Sequence, residues 1–149
     1  MKNLFFLFAA ASLVFMSCGN QEKGQSASRV LSDSLFKEVI DLHNVGMAKM
    51  SRLAKSREEA AHRIDSLQKL PAAAKSAAAP YAGQLDSLSK QLANAESLMQ
   101  AWMTGFNVDS ANNGTDQWIQ YLRDEREKVT SVKDLILTSL QSADSLLKK

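Results

Sequence analysis

The stretch Leu85–Phe106, LDSLSKQLANAESLMQAWMTGF, decides the fold. Leu85, Leu88, Leu92, Ala95, Met99, Trp102 and Phe106 recur in alternating steps of three and four, without a miss. That spacing puts all seven side chains on one face of an α-helix. Met103 broadens the face near its end. A helix with one apolar stripe is stable only when the stripe is buried against something, so its partners must lie on either side in the chain.

Upstream, Phe36, His43, Met50, Arg57 and Ile64 recur every seven residues, and Val39, Gly46, Leu53, Ala60 and Leu67 form a companion set three residues on. Together they predict one long packed helix. Ile40, Met47, Ala54 and Ala61 widen the stripe enough for two neighbours. Ser32 or Ser34 is the expected cap, because a serine oxygen can accept from an orphan backbone N–H. The helix should end near Leu70, since proline disfavours helical geometry in the residue before it.

Pro71–Pro80, PAAAKSAAAP, supports two readings. Alanine is the best helix former, yet the segment has no large apolar side chain to bury and is bracketed by prolines. It is either a connector with a turn or two of helix, or the start of the second helix, kinked at Pro80. Pro80 fits best as the first residue of that helix.

Downstream, Asn107–Gly114 has the composition of a loop, and Thr115 is the expected cap of a third helix, with Asp116 at its positive end. Trp118, Leu122, Glu125, Val129, Val132, Ile136, Ala143 and Leu147 fall on one face of it, Leu140 beside them. Asp124 and Lys128 are spaced for an outward i,i+4 pair. The expected fold is all-α: an elongated, antiparallel three-helix bundle, up-down-up, over residues 32–149. The tripeptide Asp-Ser-Leu occurs at Asp33, Asp65, Asp86 and Asp144, but the irregular spacing marks shared composition, not a repeat.

The chain opens differently. Lys2 precedes Leu4–Met16, a largely apolar run of 13 residues. That is too short for a bilayer, which takes about 20, and it reads as an export signal. Ser17 and Cys18 close it. Cys18 is the single cysteine, which rules out an intramolecular disulfide. A lone thiol in this place resembles the lipobox of bacterial lipoproteins. The resemblance implies cleavage before Cys18, a diacylglyceryl thioether on its sulfur and acylation of the new amino terminus. Residues 1–17 are then the signal peptide and 18–31 the lipidated cysteine with a flexible tether, since Gly19–Ser28 is almost wholly polar.

Removing Lys2 lowers the formal charge from +2 to +1. A nearly neutral chain with interspersed charges lacks the basic footprint of a nucleic-acid binder and any basic block for anionic lipid. The membrane partner is held through acyl chains alone. Glu22 is the one acid in the tether, which favours the outer membrane's periplasmic face over the cell surface.

Aligning the expected helices by height, at about 1.5 Å per residue, brings two groups of residues together. Arg57 and Glu125 fall within a turn of each other, each on an apolar stripe. They either sit at the stripe border with their heads in water or form a partly buried pair that fixes helix register. His43, Met47, Trp102, Met103, Phe106 and Trp118 gather at one end of the bundle. This cluster is either a well-filled end of the core or a pocket for a ligand or partner, with His43 its titratable group.

His43 and His62 are the two histidines, and His62 falls on the polar side of its helix. Neither joins a carboxylate or cysteine at metal-site spacing, and no nucleophile elbow, phosphate loop or dinucleotide fingerprint occurs. No cofactor is expected beyond the lipid on Cys18, and no catalytic residue stands out.

HNVGM at His43–Met47, AWMTGF at Ala101–Phe106, and Tyr121-Leu122 with the charged run to Val129 resemble a group of uncharacterised small helical lipoproteins from Bacteroidota. His43, Met47, Trp102, Met103 and Phe106 match that family's pattern. Asn44, Val45 and Gly46 depart from it, and the two acids missing there argue against a cation at this segment. The resemblance covers most of Asp41–Leu147 and implies no known activity. The expected function is that of an envelope lipoprotein acting as a non-catalytic interaction module, its partner another envelope protein or a second copy. The alternative is a small-ligand sensor or carrier using the aromatic end.

Overall fold

A computed structural model of the chain describes residues 21–148. The expected signal peptide and Cys18 lie outside the described residues. Three long helices account for nearly all of the rest: α1, Gln21–Gln68; α2, Ala72–Gly105; and α3, Thr115–Leu147. A short 3-10 helix, Val108–Asn113, precedes α3. Among the described residues there is no strand. Each helix packs on both others. At 48 residues α1 is about 72 Å long, against roughly 50 Å for the other two.

α1 starts at Gln21, eleven residues before the expected Ser32. The polar composition of the tether does not prevent helix, because extending an existing helix adds a hydrogen bond for each residue fixed. Ser32 is not a cap. Its hydroxyl, on the buried face, donates to the Arg29 carbonyl one turn back at 2.8 Å.

The end of α1 is as expected. Lys69 and Leu70 donate their N–H groups to the Ser66 and Leu67 carbonyls at 3.3 Å, tightening the last turn. Pro71 then takes an extended ψ of 152° at the N-cap position of α2. PAAAKSAAAP is therefore helix, and Pro80 lies inside α2 rather than at its first position. The alanines, all but Ala78 exposed, are helical by intrinsic propensity and bury little.

Buried Val39, Gly46, Leu53 and Ala60 of α1 form the axis of the core. The widening set is a correction: Met47, Ala54 and Ala61 are exposed. Gly46 explains the narrow stripe. A β-carbon there would be driven against Met99 Cε and would touch Ile136 Cδ1 at 3.5 Å, so α2 and α3 both close on α1 at this point. From α2, Leu85, Leu88, Leu92, Ala95, Met99 and Trp102 are buried as their spacing predicts. α3 buries Leu122, Glu125, Val129, Val132, Ile136, Leu140 and Ala143 as expected, and Ile119 and Ser139 in addition.

The α2–α3 connection is built on one glycine. Asn107 Oδ1 accepts from the Asp109 N–H at 2.9 Å, starting the 3-10 turn. Gly114 follows with φ +108°, where a side chain would be strained. Gly114, not Thr115, stands at the N-cap of α3, and no side chain caps it. Asp116 lies in the first turn.

Candidate functional site

The aromatic end is the densest chemistry in the described chain. Phe36, Phe106, Tyr121 and Trp118 close a circuit of rings, with centroids 6.4, 6.0, 5.4 and 6.2 Å apart in turn. Trp102 stacks on Phe106 at 4.9 Å, and His43 lies 5.3 Å from Trp102. These separations are those of favourable offset contacts, each contributing about 0.5–1.5 kcal/mol beyond area burial. Tyr121 Oη accepts from the Asn107 N–H at 2.7 Å, which ties the end of α2 to α3.

Of the residues expected here, His43, Trp102, Phe106 and Trp118 meet in the cluster, and half-buried Met103 packs against the adjoining core. Met47 does not join them. It is 38% exposed, because the residue after Gly46 is turned about 100° from the core axis. Phe36 and Tyr121 are the members that sequence reasoning misses. Phe36 is marked by lying one heptad before His43, and Tyr121 by lying three residues after Trp118 on the same helix.

Two polar nitrogens are buried in this cluster without a hydrogen-bond partner: His43 Nε2 and Trp102 Nε1. Each costs roughly 1–3 kcal/mol unless a water or ligand atom reaches it. His43 Nδ1 lies 3.3 Å from Asn44 Oδ1. The hollow between α2 and α3 is lined by other residues, among them Gly83, Ser87, Ser142 and Leu146.

Arg57 and Glu125 do not pair. Arg57 Nη1 lies 2.7 Å from Glu96 Oε2, an ion pair out of hydrogen-bond alignment with both groups more than a third exposed. Such a pair contributes little, and Arg57 is the border residue of the two expected readings. Glu125 is buried instead, and its Oε1 accepts from Lys128 Nζ at 2.8 Å. That bond raises the Lys128 pKa, and it replaces the expected Asp124–Lys128 pair. The distance between Arg57 and Glu125 follows from Arg52, which holds Asp144. Asp144 lies about five turns, or roughly 28 Å, beyond Glu125 on α3.

The polar contacts that join all three helices belong to Arg63. Its Nη1 donates to Tyr81 Oη of α2 at 2.9 Å and its Nη2 to the Leu147 carbonyl of α3 at 2.6 Å. Its Nε donates to Glu59 at 2.7 Å, the main cause of its raised pKa. Arg52 on Asp144 holds that carboxyl below the usual range, with Lys148 a lesser influence.

Among the described residues no three histidine, cysteine or acidic side chains converge on a point where a metal could sit. No described helix is long and apolar enough to cross a membrane. Compared with protein families, curated proteins and solved structures, the chain matches none.

Proposed function

We propose that the chain is a lipid-anchored protein of the bacterial envelope, an up-down-up antiparallel bundle that works by binding another macromolecule, not by catalysis. The observation that carries this reading is Leu4–Cys18, an export-type apolar run closing on the chain's one cysteine. The resemblance of His43, Trp102, Met103 and Phe106 to the pattern of small helical lipoproteins points the same way.

Cross-helix pairs support the topology. Residue numbers rise together along α1 and α3, from Glu38 with Arg126 to Arg52 with Asp144. They run in opposite order along α1 and α2, from His43 with Trp102 to Arg63 with Tyr81. The choice of binding over catalysis rests on the aromatic end, whose rings stack on one another and leave the helix surfaces as the contact area. The partner is an envelope protein or a second copy, met on the periplasmic face of the outer membrane.

A second reading, a small-ligand sensor at the aromatic end, draws on the orphaned His43 and Trp102 nitrogens. Titration with small apolar ligands, followed by Trp102 and Trp118 fluorescence, addresses it.

The anchor is tested by Cys18→Ser. Metabolic labelling with a fatty-acid analogue should mark the wild-type chain and not the variant, and equal labelling of both refutes the assignment. Cross-linking of the lipidated protein in whole cells then identifies its partner.

A further inference from the structure

Building on the lipid-anchor reading, we propose that the outward face of the first turns of α1, centred on Ala27, Val30 and Leu31, seats on the membrane surface. Ser26, Ala27, Val30, Leu31 and Ser34 line one shallow hollow formed by α1 alone. Their spacing places them on one side of the helix, away from buried Ser32 and Leu35. Val30 is 67% exposed and Leu31 41% exposed, so neither α2 nor α3 covers them.

Single exposed apolar residues carry no message; here the change along the face does. From Ser26 to Ser34 the face holds no charge. The next hollow along α1 is lined by Lys37, Glu38 and Asp41 together with Ser34. The outward side of one continuous helix thus changes from uncharged to charged within a turn. An interfacial helix behaves this way when only its first turns touch lipid.

Position selects the lipid over a protein. α1 begins three residues after Cys18, and Val30 lies roughly 14 Å along it from Gln21. Laid along the surface, the helix brings Val30 and Leu31 to the headgroup–acyl boundary, where such faces sink about 5–10 Å. A stable protein–protein interface buries about 1,200–2,000 Å², far more than these few side chains of a single helix offer. A membrane contact does not need that area, because the acyl chains already hold the protein there. The contact sets orientation: the aromatic end rests near the bilayer, and the α1–α2 turn at Pro71 is carried away from it.

The test uses the full chain processed in cells, where the lipid consumes the Cys18 thiol and an introduced cysteine is the one reactive group. Val30→Cys and, as a control at an exposed position of α2, Asn94→Cys are labelled with an environment-sensitive dye. Both are placed in vesicles of phosphatidylethanolamine and phosphatidylglycerol, with or without brominated acyl chains. The dye at position 30 should emit to the blue of the control and be quenched by bromolipid at least about twofold more strongly, as a side chain at the acyl boundary requires. Matching, water-like emission at both positions, in protein whose mass shows the lipid on Cys18, overturns this proposal and leaves the anchor standing. A mass without lipid overturns the anchor and this proposal together. A shift that disappears on dilution into excess lipid assigns the face to a second copy and also overturns it.

Discussion

Gly46→Ala sets two effects of known size against each other. Removing a glycine from a helix interior favours the fold by about 0.8–1 kcal/mol. The added methyl would be driven against Met99 Cε, with Ile136 Cδ1 at 3.5 Å and the Lys133 backbone at 4.0 Å. Overpacking of this kind costs about 1–3 kcal/mol. Because the blocking atom is the free end of a flexible thioether, the lower part of that range applies. The net effect should lie between no change and about 1 kcal/mol of lost stability. The informative experiment repeats the substitution in a Met99→Leu background, since leucine ends one atom short of Cε. Relieved of the clash, Gly46→Ala should there stabilise by about 1 kcal/mol, a coupling of roughly 1–2 kcal/mol. Urea unfolding of the four proteins, followed by far-ultraviolet circular dichroism, gives the cycle. Additivity within about 0.3–0.5 kcal/mol would mean that position 46 does not meet Met99 and that the close approach of α1 and α2 is wrong. Gly46→Leu is the control. Its branched side chain reaches toward the Lys133 backbone, which cannot step aside, and should lower the melting temperature far more than alanine does.

Leu92→Asp puts a charge at a fully buried position and should cost several kcal/mol, comparable to the whole stability of a domain. A melt within a degree or two of wild type refutes the placement of Leu92 in the core. Ser139→Ala removes a buried hydroxyl that has no partner and should raise stability by about 1 kcal/mol; a loss of that size reveals a hydrogen bond to water inside the core. The lowered pKa of Asp144 makes its ion pair with Arg52 a source of pH dependence. The folded protein binds this proton less readily than the unfolded chain. The stabilisation is therefore present above the unfolded value, near 3.9, and is lost as pH falls through the folded one. Asp144→Asn should flatten the acid side of the stability–pH curve, and an unchanged acid side shows that the pair does not persist in solution.

The α2 stripe is fully legible in the sequence because its apolar residues are large, evenly spaced and nearly all buried: Leu85 to Trp102 appear in the core as written. Where sequence reading fails, a residue's type and its environment come apart. Gln21–Leu31 is largely polar and reads as flexible, yet a polar segment continues a helix already nucleated by the packed turns around Leu35 and Val39. Ala72–Ala79 buries almost nothing and is helical by backbone preference, which no periodicity can display. Ser139 escapes notice because serine usually faces water, although the position three residues after Ile136 lies on the core face. Met47 departs the other way: an apolar residue just off the axis stays outside when Gly46 draws the neighbouring helices in close.

Register shows why the aromatic end is foreseeable and the Arg57–Glu125 pair is not. Helix heights read from sequence depend on where each turn lies. Moving the start of α2 from Pro80 to Ala72 shifts its level against α1, and the 3-10 turn before Gly114 shifts α3 again. The two displacements accumulate for a residue of α1 and a residue of α3. An ion pair is lost when its partners slip by one turn. Stacked rings accept centroid separations of about 4.5–7 Å, and the next ring along each helix can replace the one expected. Phe36 and Tyr121 take up that slack, adding themselves to Trp102, Phe106 and Trp118. The apolar stripes accordingly specify that three helices associate and which faces they bury, but are nearly indifferent to a slip of one heptad. Arg63 is not indifferent. Its guanidinium meets both Tyr81 and the Leu147 carbonyl in one arrangement of α1, α2 and α3, and a slip of a single turn in either neighbour leaves a half-buried cation and a helix-end carbonyl without their partner.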